Sequence, residues 1–156
     1  GSKKQAKQIV KEAADNCGMP YIVGRWLGGT FTNFANIVKL TKKLERLEKE
    51  EQDGTWDMYI KKEQVTFKKE MNKLLDTVGG IKSMKKLPQA IFVVDLRKEK
   101  TAVTEANKVG IPVIAMSDTN VNPEVAKYPI PANDDAIKSI EVITNLVSET
   151  ISQAKQ

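Results

Sequence analysis

Histidine is absent from this 156-residue chain, and cysteine occurs once, at Cys17. Histidine is the commonest acid-base residue near neutral pH and a common metal ligand, so its absence excludes a histidine-dependent catalytic triad and a Cys/His zinc site. A single cysteine excludes a disulfide within the chain and is typical of the reducing cytoplasm. No apolar run approaches the ~20 residues needed to cross a bilayer. The sequence therefore predicts a cytoplasmic protein of about one domain, without a membrane partner.

Arginine is also scarce, because only Arg25, Arg46 and Arg97 stand among the 25 basic residues. Lysine suits flexible contacts to phosphate, whereas arginine is preferred for bidentate reading of bases. The charge is unevenly placed: residues 1–90 carry 18 Lys+Arg and 11 Asp+Glu, and residues 91–156 carry 7 and 9. We expect the basic part of the chain to face a polyanion.

The standard signatures of nucleotide and hydrolase chemistry are missing, since there is no G-x-G-x-x-G after a strand, no Walker-type lysine loop and no G-x-S-x-G elbow. The best catalytic alternative is Asp95 together with residues 117–120, all at the carboxyl ends of predicted strands. This placement resembles the phosphoacceptor layout of receiver domains. It lacks the lysine that such a layout requires after the last strand.

A second acidic group, Asn133–Asp135, could bind a hard cation together with Asp118, because carboxylate and amide oxygens are suitable ligands. The same run at the opening of a helix is more typical of capping, since it satisfies free N–H groups and complements the helix dipole. The sequence favours capping, and we predict neither a metal site nor a cofactor.

Helical spacing from Ala6 to Ala14, followed by Gly18 as a stop signal, predicts an amphipathic first helix. The predicted strands are Pro20–Val23, Ala90–Val94, Pro112–Met116 and Tyr128–Ile130, and further helices are predicted near residues 101–109 and 134–153. Continuous apolar runs indicate strands covered on both faces, and Pro129 and Pro131 indicate that the last strand lies at an edge. A helix leading into a strand with no strand before it suggests a fragment of a longer protein.

Between these parts lie two helical stretches with narrow apolar seams. The seam residues are Ile37, Leu40, Leu44 and Leu47 in the first stretch and Ile60, Gln64, Phe67, Met71, Leu74 and Val78 in the second. Their alternating spacing of three and four residues is typical of a coiled coil. A turn at Gln52–Thr55 predicts that the two helices fold back as an antiparallel hairpin that projects from the body.

The stretch Arg25–Asn33 connects the first predicted strand to this hairpin. Gly28 and Gly29 permit backbone conformations that a side chain would forbid, and Thr30 or Thr32 is expected to cap the next helix. Arg25 and Trp26 are free to meet a partner, although an aromatic in such a turn more often packs into the core. Paired lysines along the hairpin favour binding to a phosphate backbone, even though each pair alone is an ordinary solvated face.

Several blocks of this sequence resemble, in order and over residues 3–153, the bacterial ribosomal protein S-two family of the small subunit. These blocks are Arg25–Gly29, Thr32–Asn33, Gln52–Thr55, Gly79–Ile81, Leu87–Asp95, Glu105–Ala106, Gly110–Val113, Asp118–Asn120, Ile130–Pro131 and Asn133–Ile137. The resemblance implies an α/β, flavodoxin-like (Rossmann-like) parallel sheet layered with helices, with a coiled-coil hairpin inserted after its second strand. It also implies that the first sheet strand and the region before it are missing here.

On this basis residues 3–34 and 79–156 form the α/β body, residues 35–78 form the hairpin, and residues 1–2 are a remnant of a tag. The exposed sheet edges left by the missing strand predict self-association.

The resemblance implies a non-catalytic structural constituent of the small ribosomal subunit, located on the cytoplasmic ribosome. The implied partners are small-subunit ribosomal RNA and neighbouring ribosomal proteins, including ribosomal protein S-one. The candidate RNA-binding residues are Arg25, Trp26, Lys39, Lys42, Lys43, Arg46, Lys61, Lys62, Lys68, Lys69, Lys82, Lys85 and Lys86. Two alternatives stay open, namely a protein-interaction module that acts through the hairpin and the receiver-like phosphoacceptor or metal-binding domain.

Overall fold

A computed structural model describes residues 1–155 of the chain as five α-helices and three strands. The helices are α1 (Lys7–Cys17), α2 (Phe34–Gln52), α3 (Lys61–Val78), α4 (Lys100–Lys108) and α5 (Ile137–Ala154). The strands are β1 (Ile91–Val93), β2 (Val113–Ser117) and β3 (Tyr128–Pro131). Short 3-10 turns lie at Thr55–Met58, Gly79–Ile81 and Pro123–Val125.

The strands form one parallel sheet in the order β1-β2-β3. On one face, Val93, Val113 and Ala115 pack with Val103 and Ala106 of α4. On the other face, Val94 and Met116 pack with Ala6 and with Ile140 of α5. Along β1 and β2 the side chains alternate between these two packed faces, which confirms the prediction from the continuous apolar runs, whereas three of the four residues of β3 are exposed. The edge position of β3, which the two prolines predicted, is also confirmed.

Helix α1 lies against α5, and the Ser148 hydroxyl donates a hydrogen bond of 2.8 Å to the carbonyl of Ala13. The helix ends as predicted at Gly18, whose φ of 62° is readily adopted only by glycine. Asn133 does not cap α5 itself. Its side-chain oxygen accepts from the amides of Asp135 and Ala136, and the N-cap residue Ala136 makes no side-chain cap.

Residues 20–23 are not a strand, so that prediction was wrong. The backbone hydrogen bonds described for this segment do not run along a neighbouring strand. Tyr21 donates its amide to the carbonyl of Gly80 at 2.9 Å, and the Ile22 carbonyl accepts from the nitrogen of Gly1 at 3.0 Å. A strand needs a ladder of such bonds to one neighbour, and these two run to different parts of the chain.

Helices α2 and α3 pack against each other along the predicted seam. Leu44, Leu47, Met71 and Leu74 are buried in one cluster, and Trp56 closes it at the connection between the helices. Ile60 was predicted in this seam, but it is 67% exposed, because the second helix begins only after it. We call α2 and α3 the helix pair.

Candidate nucleic-acid interface

The loop that leads into the helix pair is folded around one buried carboxylate, that of Glu105 on α4. The amides of Gly29 and Phe31 donate to its two oxygens at 2.7 and 2.9 Å. Thr32 adds its amide and its hydroxyl, each at 3.3 Å, and the indole N–H of Trp26 donates at 3.3 Å. Convergent N–H groups of this kind form an anion-binding concavity, and here the anion belongs to the chain.

The electrostatics of Glu105 follow from these bonds. Burial would raise the pKa of the carboxyl, because it disfavours the charged form. The hydrogen bonds from Phe31, Gly29, Thr32 and Trp26 act in the opposite direction and hold the pKa below its usual value of 4.5. Glu105 is therefore a charged residue, 8% exposed, whose charge is stabilised by the loop.

Sequence reasoning missed this role of Glu105. A signal was present, because Glu105 lies on α4 between positions that read as apolar core, and a buried glutamate needs partners. The predicted capping by Thr30 or Thr32 was wrong. The Thr30 hydroxyl donates to the Leu27 carbonyl at 2.6 Å, and the Thr32 hydroxyl donates to the Glu105 carboxylate.

Arg25 and Trp26 have different environments at this loop. The Trp26 ring is half-buried and meets Phe31 edge-on, with ring centroids 4.9 Å apart. The Arg25 side chain is exposed and makes no ion pair within residues 1–155. Trp26 is thus held by contacts inside the chain, whereas the charge of Arg25 is open to an external partner.

Acidic neighbours on the helix pair neutralise some of the predicted RNA-binding cations. Lys43 pairs with Glu70, and Lys68 pairs with Glu51. These two pairs cross between α2 and α3 and show that the helices run antiparallel, because the higher number on one helix meets the lower number on the other. Lys82 pairs with Glu48 at 2.7 Å, and Arg46 pairs with Glu50 at 3.4 Å.

The remaining predicted cations are exposed, and the structure gives them no ion pair in the part of the chain it describes. They are Arg25, Lys39, Lys42, Lys61, Lys62, Lys69, Lys85 and Lys86. Unpaired lysines on a helical surface can release counterions when they meet phosphates, so these residues suit a polyanion better than the paired ones.

The acidic residues that suggested a phosphoacceptor or a cation site surround the ammonium of Lys3. Its Nζ lies 2.7 Å from oxygens of Asp134 and Asp135 and 3.2 Å from an oxygen of Asp95. Carboxylate oxygens of Asp118, Asp134 and Asp135 lie within 4.8 Å of one another, a spacing that could hold a metal ion. A cation of the chain already pairs with two of these three carboxylates, which accounts for the cluster as an ion-pair network.

Burial and mutual repulsion shape the pKa values in this network. Burial raises the pKa of Asp134, Lys3 opposes the rise, and the charges of Asp95 and Asp118 add to it. Burial would lower the pKa of Lys3, but its hydrogen bonds to Asp134, Asp135 and Asp95 raise it above its usual 10.5. A hydrogen bond from the Thr119 amide lowers the pKa of Asp118. This network joins the start of the chain to the carboxyl edge of the sheet.

None of the helices described for residues 1–155 combines the length and the apolar character that a membrane crossing requires.

Comparison with known proteins gives one consistent result. The model of the family described as ribosomal protein S2 matches residues 1–154. Three similar proteins, each named small ribosomal subunit protein uS2, come from Salinibacter ruber, Chlorobaculum tepidum and Chloroherpeton thalassium. They are 50, 49 and 51% identical to this chain over 156, 155 and 154 residues.

These alignments cover 100, 99 and 99% of the chain, but 49, 62 and 62% of the relatives. The chain thus spans about half to three fifths of the length of the curated relatives that it matches. Since the family match runs along nearly every residue described above, from the Lys3 network to α5, the chain belongs to the ribosomal protein S2 family.

Proposed function

We propose that this chain is a non-catalytic structural constituent of the small ribosomal subunit, where it binds ribosomal RNA and neighbouring ribosomal proteins during translation. The observation that carries the proposal is the family match over residues 1–154, with relatives near 50% identity named as small-subunit proteins. The location that follows is the ribosome in the cytoplasm. Ribosomal protein S-one is included among the proposed neighbours because the family resemblance implies it.

We also propose an architecture for the body and the helix pair. The body, residues 3–34 and 79–156, is a flavodoxin-like sheet whose first strand lies outside this chain, and residues 35–78 are an inserted coiled-coil hairpin. The apolar seam of Leu44, Leu47, Met71 and Leu74 supports the coiled coil. An apolar cavity of about 240 Å³ between Tyr21–Ile22 and the open side of β1 supports the position of the missing strand.

The RNA contacts proposed are the predicted residues, with the exposed unpaired cations as the principal ones. Lys39, Lys42, Lys61 and Lys62 are exposed and carry no ion pair in the described part of the helix pair. Lys43, Arg46, Lys68 and Lys82 must first leave carboxylate partners, so their contribution is smaller. Trp26 contributes by holding the loop that carries Arg25.

A second candidate function, a protein contact through the connection of the helix pair, has its own observation. Met58, Tyr59, Ile60 and Val65 are 89, 45, 67 and 53% exposed and lie close together in sequence at that connection. Exposed apolar residues grouped in this way are typical of an interaction surface. Binding at this surface would change little with salt.

The test is a salt titration of binding to small-subunit ribosomal RNA, measured by fluorescence anisotropy of labelled RNA. We expect affinity to fall steeply between ~50 and ~200 mM salt, because phosphate contacts release counterions. A quadruple variant with Lys39, Lys42, Lys61 and Lys62 changed to Gln should bind more weakly and with a shallower salt slope.

The matched control changes four exposed lysines of the acidic half to Gln, namely Lys98, Lys100, Lys108 and Lys138. Both variants lose the same charge, so a difference between them reports on position. Equal binding by the two variants would show that the helix-pair assignment is wrong. Parent binding that is absent, or insensitive to salt, would overturn the RNA-binding function itself.

A further inference from the structure

A second basic surface lies beside the helix pair, in an open groove of about 1050 Å³. Its walls are α1, the segment 21–25 and the C-terminal half of α3, so the groove lies where the α/β body meets the helix pair. The predicted RNA-binding residues reach it only through Arg25 and Lys69. Lys7, Lys11 and Lys73 line it as well.

The groove carries a strong charge imbalance. Its cations are Lys7, Lys11, Arg25, Lys69 and Lys73, and its one acidic lining residue is Asp76. All five cations are exposed, and none of them forms an ion pair among the residues that the structure describes. On the face of the helix pair, by contrast, Glu48, Glu50, Glu51 and Glu70 neutralise neighbouring cations. A concave surface with uncompensated charge of one sign concentrates ions of the opposite sign.

The floor of the groove is fixed by backbone packing that only glycine allows. A Cβ on Gly24 would stand 2.1 Å from the carbonyl oxygen of Asp76, and a Cβ on Gly80 would stand 2.3 Å from that of Tyr21. The Tyr21 amide also donates to the Gly80 carbonyl at 2.9 Å. These contacts hold the segment 21–25 directly against the end of α3. Lysines of α1 and α3 line the same channel, so the site is already formed in this structure, and a preformed site loses less entropy on binding.

We propose that this groove binds the phosphate backbone of ribosomal RNA, and that Lys7, Lys11 and Lys73 are contact residues. The proposal rests on the proposed RNA-binding function and adds a site to it. Four of its five cations are lysines, which suit contacts to phosphates and carry no base specificity. RNA is favoured over an acidic protein because the cations line an open channel between two helices, where a continuous strand of phosphates can meet all of them.

The first test replaces Lys7, Lys11 and Lys73 with Gln and compares the variant with one that has Lys100, Lys108 and Lys138 replaced. We expect the groove variant to bind small-subunit ribosomal RNA at least about tenfold more weakly, with a salt slope lower by about two to three. The control variant should bind within about twofold of the parent, because its lysines lie on the acidic half of the chain. Circular dichroism of both variants checks that the fold is kept.

The second test is independent of charge removal. Asn72, an exposed groove residue, is changed to Cys and labelled with an iron–EDTA reagent, and Asn145 on α5 is treated in the same way. The parent protein, treated with the same reagent, serves as the blank, because its one cysteine, Cys17, is buried. Hydroxyl-radical cleavage of bound RNA from position 72, with little cleavage from position 145, supports the groove.

The outcomes separate the two proposals. If the parent binds RNA but the groove and control variants bind alike, or if position 72 gives no more cleavage than position 145, the groove is not an RNA site and the general function stands. If the parent shows no salt-dependent binding, both proposals fail. Displacement of the RNA by polyglutamate as efficiently as by polyadenylate, at equal charge, would overturn the assignment to RNA.

Discussion

The Glu105 carboxylate accepts the Phe31 amide at 2.9 Å across 74 residues of sequence. This bond and its neighbours join α4 to the loop that begins the helix pair. A buried carboxylate with several amide donors is more than a local cap, because removing it leaves the donors without partners.

Glu105→Ala should lower the free energy of unfolding by about 3 kcal/mol, because it strands buried amide donors and removes a charge-assisted set of hydrogen bonds. Glu105→Gln keeps the shape but aims an NH₂ group at other donors, so we expect a loss of about 2 kcal/mol. Urea unfolding measures both. The control is Glu149→Gln on the exposed side of α5, which should change stability little. Equal effects at positions 105 and 149 would contradict the role of Glu105.

The Glu105 carboxylate should make the free energy of unfolding depend on pH. Its folded-state pKa lies below the usual 4.5, so the unfolded chain binds its proton more readily. The stabilisation is therefore present above pH 4.5 and is lost as the pH falls through the folded-state pKa. The difference in unfolding free energy between the parent and Glu105→Gln should shrink as the pH is lowered below 4.5. A difference that stayed constant from pH 7 down to acid unfolding would refute this explanation.

Gly24→Ala and Gly80→Ala should each destabilise the protein by about 2 kcal/mol or more, because the new Cβ would overlap a backbone oxygen that cannot move alone. Gly28→Ala is the matched control, since nothing lies within 4 Å of its Cβ position. We expect Gly28→Ala to be neutral or slightly stabilising, by up to about 1 kcal/mol. Thermal unfolding of the three variants measures these changes in stability. If Gly28→Ala were the most destabilised of the three, the packing described would be wrong.

Lys3→Met should destabilise the protein by about 3 kcal/mol, because it leaves Asp134, whose side chain is 3% exposed, charged and unpaired. Adding Asp134→Asn should recover part of the loss. Since the folded-state pKa of Lys3 is raised above 10.5, its contribution is present below pH 10.5 and is lost at higher pH. The control is Lys4→Met, on an exposed neighbour without an ion pair in the described structure. If the double variant is less stable than Lys3→Met alone, the ion-pair account fails.

Self-association is expected through the open edge of β1, whereas the prolines of β3 protect the other edge. Sedimentation velocity at rising concentration should show dimers or larger species. A single monomer peak at the highest concentration would contradict self-association through the edge of β1.

The sequence was a good guide to features that depend on local spacing. Val113 and Ala115 fall on one face of β2 and Met116 on the other because side chains alternate along a strand. Leu44 and Met71 are buried in one cluster because a spacing of three and four residues builds one stripe along each helix. These patterns gave the parallel sheet, its edge strand and the packing of α2 on α3.

The missed features depend on contacts between distant residues. Lys3 and Asp134 are 131 residues apart, and neither sits in a periodic pattern that points to the other. Residues 20–23 have the composition of a buried strand, but a strand also needs a neighbour, which composition does not report. The sequence shows which residues are cationic, but it does not show which of them have carboxylate partners. Only the fold distinguishes Lys43, which pairs with a carboxylate, from Lys73, which faces the groove.

Both segments that connect the helix pair to the rest of the chain are held by hydrogen bonds. Glu105 holds the loop before α2, and the backbone contact of Tyr21 with Gly80 holds the chain just after α3. A rotation of the pair relative to the sheet would therefore disturb hydrogen bonds in both connecting segments at once. Restraint at both connections favours one fixed orientation of the helix pair relative to the sheet.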